Sequence, residues 1–160
     1  MNRIKILLLG EQNSGKTQSI QHFINEQPIY KDSLLSLYHK SCDIHDMSII
    51  ITILDTKSTL NNGLTFIPFS DVDQILIFTN LSIPHADERV NQWISFCKKH
   101  ILLKPISIIG TVKKNNNTVD QNIHDLENNI PDVNIYTINI NQEMEICKMY
   151  SVIIGSFFDT

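Results

Sequence analysis

Arginine is almost missing from this chain. Of thirteen basic residues only Arg3 and Arg89 are arginine, too few for the arginine-rich lid of a phosphoryl-transferring kinase. Cysteine is also scarce. Cys42, Cys97 and Cys147 are odd in number, widely spaced and without a C-x-x-C pair, which reads as free thiols in a reducing compartment. The six histidines form no H-x-x-x-H. His39-x-x-Cys42-x-x-His45 and Cys97-x-x-His100 leave any four-ligand zinc pattern incomplete, so solvated or capping histidines are expected. There is no Gly-x-Ser-x-Gly for a serine-nucleophile hydrolase. No apolar run is long enough to cross a bilayer. The run Ile4 to Leu9 is too short for a signal peptide and reads as a buried strand. The residue after Met1 is Asn2, which excludes N-myristoylation, and the terminus Phe157-Phe158-Asp159-Thr160 carries no prenylatable cysteine. A net charge of −4, with only the pairs Lys98-Lys99 and Lys113-Lys114 as basic clusters, excludes a general attraction to nucleic acid or anionic membrane. The expectation is one cytoplasmic domain over residues 1–160 with no direct lipid anchor and no nucleic-acid partner.

Hydrophobic residues make up 42% of the 160 and charged residues 19%, a globular balance with material for a sizeable core. Apolar runs of strand length alternate with segments of helical period, without an internal repeat. Strands are predicted at Ile4 to Leu9, Leu35 to Asp43, Met47 to Leu54, Gln74 to Phe78, Pro105 to Ile109 (ended by Gly110) and Val133 to Ile138. His45-Asp46 reads as a turn joining the second and third of these in a hairpin. Helices are predicted from Lys16 to about Asn25, from Pro84 to about His100, from Val119 to Asn129 and from Gln142 to Phe158. Ile20, Phe23 and Ile24 share a face of the first helix. Ala86, Val90, Trp93, Ile94 and Cys97 share one of the second, with Trp93 read as core packing. Met144, Cys147, Tyr150, Ile154 and Phe157 are the expected inner face of the last. Asp55 to Asp71, with Gly63 and Pro68, reads as loop. This order predicts an α/β three-layer sandwich on a mostly parallel six-stranded sheet, with ligands bound beyond the carboxyl ends of the strands.

Glycine is limited to five residues, yet two of them bracket the strongest signal, Gly10-Glu-Gln-Asn-Ser-Gly15-Lys16-Thr17. This is a P-loop pattern, and it lies where such a loop belongs, between a strand and a helix. Its backbone N–H groups, Asn13 and Ser14 included, and the start of the helix would face a β-phosphate. Lys16 would bridge the β- and γ-phosphates and the Thr17 hydroxyl would coordinate Mg²⁺. Asp55, at the end of the apolar run Ile49 to Leu54, supplies the carboxylate for the same hydrated ion. Mg²⁺ is the only metal expected.

The P-loop, the hairpin ending in Leu54-Asp55-Thr56, the strand Ile75 to Thr79 and the helix carrying Trp93 together resemble the Ras superfamily of small GTPases. Asn13-Ser14-Gly15-Lys16-Thr17 is similar to the Arf branch, and Leu54-Asp55-Thr56 with Trp93 to Ras or Rab. The resemblance implies a P-loop NTPase (small G-protein) fold and a GTP/GDP switch. Its loops near the γ-phosphate would change affinity for regulatory or effector proteins, in intracellular trafficking or signalling.

Several family loops are altered. Where the family has a small residue, Gly and the catalytic Gln, this chain has Lys57, Ser58 and Thr59, so slow or partner-dependent hydrolysis is expected. Gln12 stands where it could crowd a γ-phosphate. The threonine that closes over Mg²⁺ has only Ser33 and Ser36 as near counterparts. The guanine-reading Asn-Lys-x-Asp is replaced by Thr111-Val112-Lys113-Lys114, so guanine selectivity should fall. Asn117-x-x-Asp120 comes several residues too late, and Asn117 or Thr118 reads instead as a helix cap. Ile138-Asn139-Ile140-Asn141 matches the loop that touches the base through its main chain, which places Asn139 at the nucleotide. Asp87 and Glu88 read as acidic first-turn residues. Two functions remain open: a slow GTPase-like nucleotide-binding switch, or a pseudo-GTPase acting as a protein-interaction module without turnover.

Overall fold

The computed structural model describes residues 2–57, 71–100 and 104–159. The element order is β1 (Asn2–Gly10), α1 (Lys16–Phe23), β2 (Tyr30–Lys31), β3 (Leu35–Ile44), β4 (Met47–Thr56), β5 (Gln74–Asn80), α2 (Ala86–His100), β6 (Ile106–Val112), α3 (Asn117–Asn129), β7 (Asn134–Asn139) and α4 (Glu143–Phe158). β1 explains the architecture. It is apolar without alternation because it is covered on both faces: Ile4, Ile6 and Leu8 enter one core, Leu7 and Leu9 the other. The first core is closed by α1 and α4 and the second by α2 and α3.

The sheet corrects the expected fold class. It is a seven-stranded mixed sheet in the order β2-β3-β4-β1-β5-β6-β7, not a mostly parallel six-stranded small G-protein sheet. β1 pairs in parallel with β4 and β5, and β6 with β5 and β7, whereas β3 pairs antiparallel with both β2 and β4. The hairpin is where the sequence puts it. The additional strand is β2, two exposed residues with no periodicity to reveal them. It forms because Asp32 folds the chain back. The Asp32 carboxylate accepts from the N–H groups of Leu34 and Leu35, its own N–H donates to Leu35 O, and Tyr30 falls opposite Leu37.

Other elements differ in detail. β6 runs past Gly110 to Val112. Asn116 rather than Asn117 or Thr118 caps α3, its side chain accepting from Val119 N–H at 3.0 Å. On α4 the buried stripe is Ile146, Met149, Tyr150, Ile153 and Ile154, while Met144 is 86% exposed. That helix is apolar on most sides, so two stripes were available and contact with α1 selects one. On α2, Phe96 is buried with Ala86, Val90, Trp93 and Cys97, and Ile94 is only partly covered. Ser58, Thr59, Gly63 and Pro68 lie outside the described residues. No helix among the described residues is long and apolar enough to cross a membrane.

Candidate functional site

β1 delivers the loop Gly10–Gly15 to the carboxyl edge of the sheet. Gly10 has φ 143°, and a Cβ there would lie 2.3 Å from Phe78 O of the neighbouring strand, so only glycine lets the chain turn this close to β5. Asn13 is left-handed at φ 63°, which asparagine tolerates. Gly15, at φ 95°, is the N-cap of α1 and offers no capping side chain, and no acidic residue lies in the first helical turn. The positive end of α1 and its first amides therefore face the loop without a protein anion in that turn.

The loop is braced from several sides. Thr111 Oγ1, at the end of β6, donates to Ser14 O at 2.8 Å and to Thr79 O at 3.2 Å. Ser14 is buried. Lys16 is 8% exposed, and its ammonium donates to Gly10 O at 2.7 Å, Glu11 O at 3.1 Å and Ser14 Oγ at 3.4 Å. Burial pushes the Lys16 pKa below that of a free lysine, against the opposing pull of Asp55 and Glu11.

Thr17 and Asp55, both expected at Mg²⁺, lie side by side: Thr17 Oγ1 donates to Asp55 Oδ2 at 2.7 Å. Asp55 is 1% exposed, and its Oδ1 is buried with no hydrogen-bond partner among the described residues. Burial raises the Asp55 pKa above the usual carboxylate range, resisted by the Thr17 bond and by Lys16 and Lys57. Thr56 Oγ1 donates to Leu8 O at 2.8 Å, fixing the end of β4 against β1 so that Asp55 is held beside the loop.

These residues border a cleft of about 440 Å³, large enough for a small-molecule ligand. Its walls include Lys16, Lys57 and Lys113, Gln12 and Asn13 from the loop, and Ile140, and no aspartate or glutamate among the described residues. Of the sequence-derived site, Gly10, Asn13, Ser14, Gly15, Lys16 and Thr17 line it. Asp55 stands behind Thr17. Asn139 does not line the cleft: its Oδ1 accepts from Asn141 N–H at 2.9 Å and its N–H donates to Glu145, leaving the neighbouring Ile140 to form the wall. Asn117 and Asp120 belong to α3 and are likewise absent from the lining. Ser36 is buried on β3 opposite Asp55, and Ser33 is exposed in the turn before it. Among the described residues no group of three or more His, Cys, Asp or Glu could hold a metal ion, so His39, Cys42 and His45 do not assemble.

Two partners escaped the sequence reading. Glu11 Oε1 accepts from Asn80 N–H at 2.8 Å, Thr79 Oγ1 at 3.1 Å and Arg89 Nε at 3.4 Å. Arg89 also donates to the carbonyls of Asn80, Ile83 and Pro84. This ties the loop to the end of β5 and the start of α2. The only signal in the sequence was an acid at a variable P-loop position and one of just two arginines. No protein-family model matches this chain, and no curated protein matches it.

Proposed function

We propose that this chain binds a nucleoside di- or triphosphate together with Mg²⁺ at the Gly10–Thr17 loop. The observation that carries the reading is Asp55: a buried carboxylate with one oxygen on the Thr17 hydroxyl and the other without a partner among the described residues. Such a pair suits a hard cation that keeps several waters and takes oxygen ligands from one or two side chains. The loop suits the anion. Two positive-φ glycines, an uncapped helix N-terminus and a buried ammonium offer donors and positive charge, with no carboxylate among the described residues of the cleft wall.

The roles follow from these positions. The loop amides and the head of α1 would hold phosphate oxygens, Lys16 would neutralise their charge, and Thr17 with Asp55 would hold Mg²⁺. Mg²⁺ there would offset negative charge on the bridging phosphates. The resemblance to small GTPases makes GTP and GDP the first ligands to test. It also points to regulatory or effector proteins as partners and to the cytoplasm as the setting. With Lys57-Ser58-Thr59 in place of the family's catalytic segment, hydrolysis is slow or needs a partner's group.

One observation favours a second reading, the interaction module without turnover: Lys16 already satisfies its donors on the loop's own carbonyls and hydroxyl. Denaturing the purified protein and identifying released nucleotide by ion-exchange chromatography separates the two. Stoichiometric nucleotide, with affinity lost in Lys16→Ala, supports the proposal. Protein that is empty and ignores added Mg²⁺–GDP, –GTP, –ADP and –ATP overturns it in favour of the module.

A further inference from the structure

Thr17 and Gln18 are neighbours at the head of α1, and they reach opposite ends of the cleft. Successive residues of a helix point about 100° apart. Thr17 donates to Asp55 of β4. Gln18 Nε2 donates to Ile140 O, in the turn that follows β7, at 3.2 Å and across 122 positions of sequence. β4 and β7 lie on opposite sides of β1 in the sheet. With Mg²⁺ at Thr17 and Asp55, the terminal phosphates would be held at the β4 end, because the ion bridges their oxygens. The nucleoside would then extend from the loop the other way, toward Thr111, Ile140 and Gln18.

Gln18 is held in place at that end. It follows Gly15 by three residues, which puts the two on one face of the first turn, and its Cα–Cβ bond tilts toward the helix N-terminus, as in any α-helix. The Ile140 side chain presses on the loop from the same side: a Cβ on Gly15 would lie 2.9 Å from Ile140 Cδ1. Ile140 is fixed in turn, because its N–H donates to Val112 O at 3.0 Å while its own O accepts from Gln18. Gln18 is partly buried and lines the cleft beside Thr111 and Ile140. Its bond to Ile140 uses one Nε2 hydrogen, and Oε1, an acceptor with two lone pairs, takes no part in it. Pinning Nε2 also removes rotamer freedom that a free glutamine would lose on binding. Nucleosides supply matching donors: the ribose hydroxyls, and an N–H group on the edge of every common base.

We infer that Gln18 Oε1 accepts a hydrogen bond from the nucleoside part of the bound nucleotide, with Ile140 O holding the amide in position. The inference rests on the proposed nucleotide reading and deepens it: Gln18 is a residue by which the site tells a nucleotide from a bare diphosphate.

Gln18→Met keeps a long, helix-compatible side chain and removes both the acceptor and the tie to Ile140. The test is calorimetric titration of the intact wild-type chain and this variant with GDP, ADP and inorganic pyrophosphate, each with Mg²⁺. A cooperative thermal transition of the ligand-free variant shows that it folds. The expected result is that the nucleotide bound more tightly by the wild type is bound about tenfold more weakly by the variant, with no change for pyrophosphate. An equal loss for GDP and ADP places the donor on the ribose, and an unequal loss places it on the base. Nucleotide affinity unchanged in the variant, or nucleotide and pyrophosphate weakened alike, overturns the inference and leaves the nucleotide reading standing. So does a wild-type chain that binds pyrophosphate as tightly as GDP and ADP. A wild-type chain that binds neither nucleotide overturns both.

Discussion

Asp55 is the residue at which the candidate site and the stability of the fold pull in opposite directions. Its carboxylate is buried, with one oxygen unpartnered among the described residues, and burial raises its pKa. For an acid whose pKa is higher folded than unfolded, the stabilising contribution is present below the unfolded pKa and disappears as pH rises through the folded one. At neutral pH the ionised form is therefore a cost. Asp55→Asn keeps an acceptor for Thr17 and removes that charge. The variant is expected to melt at or above the wild-type temperature at pH 7, with the difference closing in acid, as thermal unfolding across pH would read. The same variant should lose the Mg²⁺ dependence of nucleotide affinity. In the wild-type chain that dependence should fade on acidification at a higher pH than an ordinary carboxylate would give.

At the scale of elements, the hairpin and the α1–α4 contact show how local conformation and packing divide the work. β3 and β4 are joined by His45-Asp46, both with positive φ, 49° and 61°, the backbone of a two-residue type I′ hairpin. Glycine is favoured at such positions, and Asp46 is exposed. Asp46→Gly is expected to stabilise the chain by about 0.5–1 kcal/mol, read as a rise in melting temperature of roughly 2 °C. α4 is anchored on α1 by Tyr150, stacked on Phe23 with ring centroids 4.4 Å apart, its hydroxyl 2.8 Å from Ser19 Oγ. Ser19 Oγ in turn donates to Lys16 O at 2.7 Å, so Tyr150 is the donor to Ser19. Burial pushes the Tyr150 pKa well up, which keeps that proton in place. Tyr150→Phe retains the stack and loses the bond, and denaturant titration should record a cost of about 1 kcal/mol.

For the whole molecule, the sheet sets the site. Parallel strands β4, β1, β5 and β6 end together at one edge, bringing Gly10, Asn80 and Thr111 to a single cleft, with Asp55 behind Thr17. A ligand bound there touches the first helix and the ends of several strands, and so stabilises the fold as a unit. With Mg²⁺–GDP at about 100 times its dissociation constant, stability should rise by about 2.7 kcal/mol. A thermal scan would then show an upward shift of roughly 5–10 °C. Lys16→Ala should show no shift under the same conditions.

The amino-acid sequence alone determined the local parts. A nearly continuous apolar run, Ile4 to Leu9, makes β1, Gly10 and Gly15 set the loop, and Asp55 is placed near the end of the strand that carries it. These were legible because each depends on residues adjacent in the chain: burial on both faces needs a nearly continuous apolar run, and a left-handed turn pressed against the neighbouring strand, as at Gly10, needs glycine. The pairing of Thr17 with Asp55 was legible through spacing and resemblance together. Tertiary structure decided the rest. β2 exists only because Asp32 folds the chain back onto Leu37, and two exposed residues carry no pattern. The face of α4 was chosen by α1, since its sequence is apolar in more than one direction. Asn139 turned toward Asn141 and Glu145, and Glu11 found Arg89 across 78 positions of sequence. Such pairings are set where strand ends converge, and no local run of residues encodes which side chains will meet there.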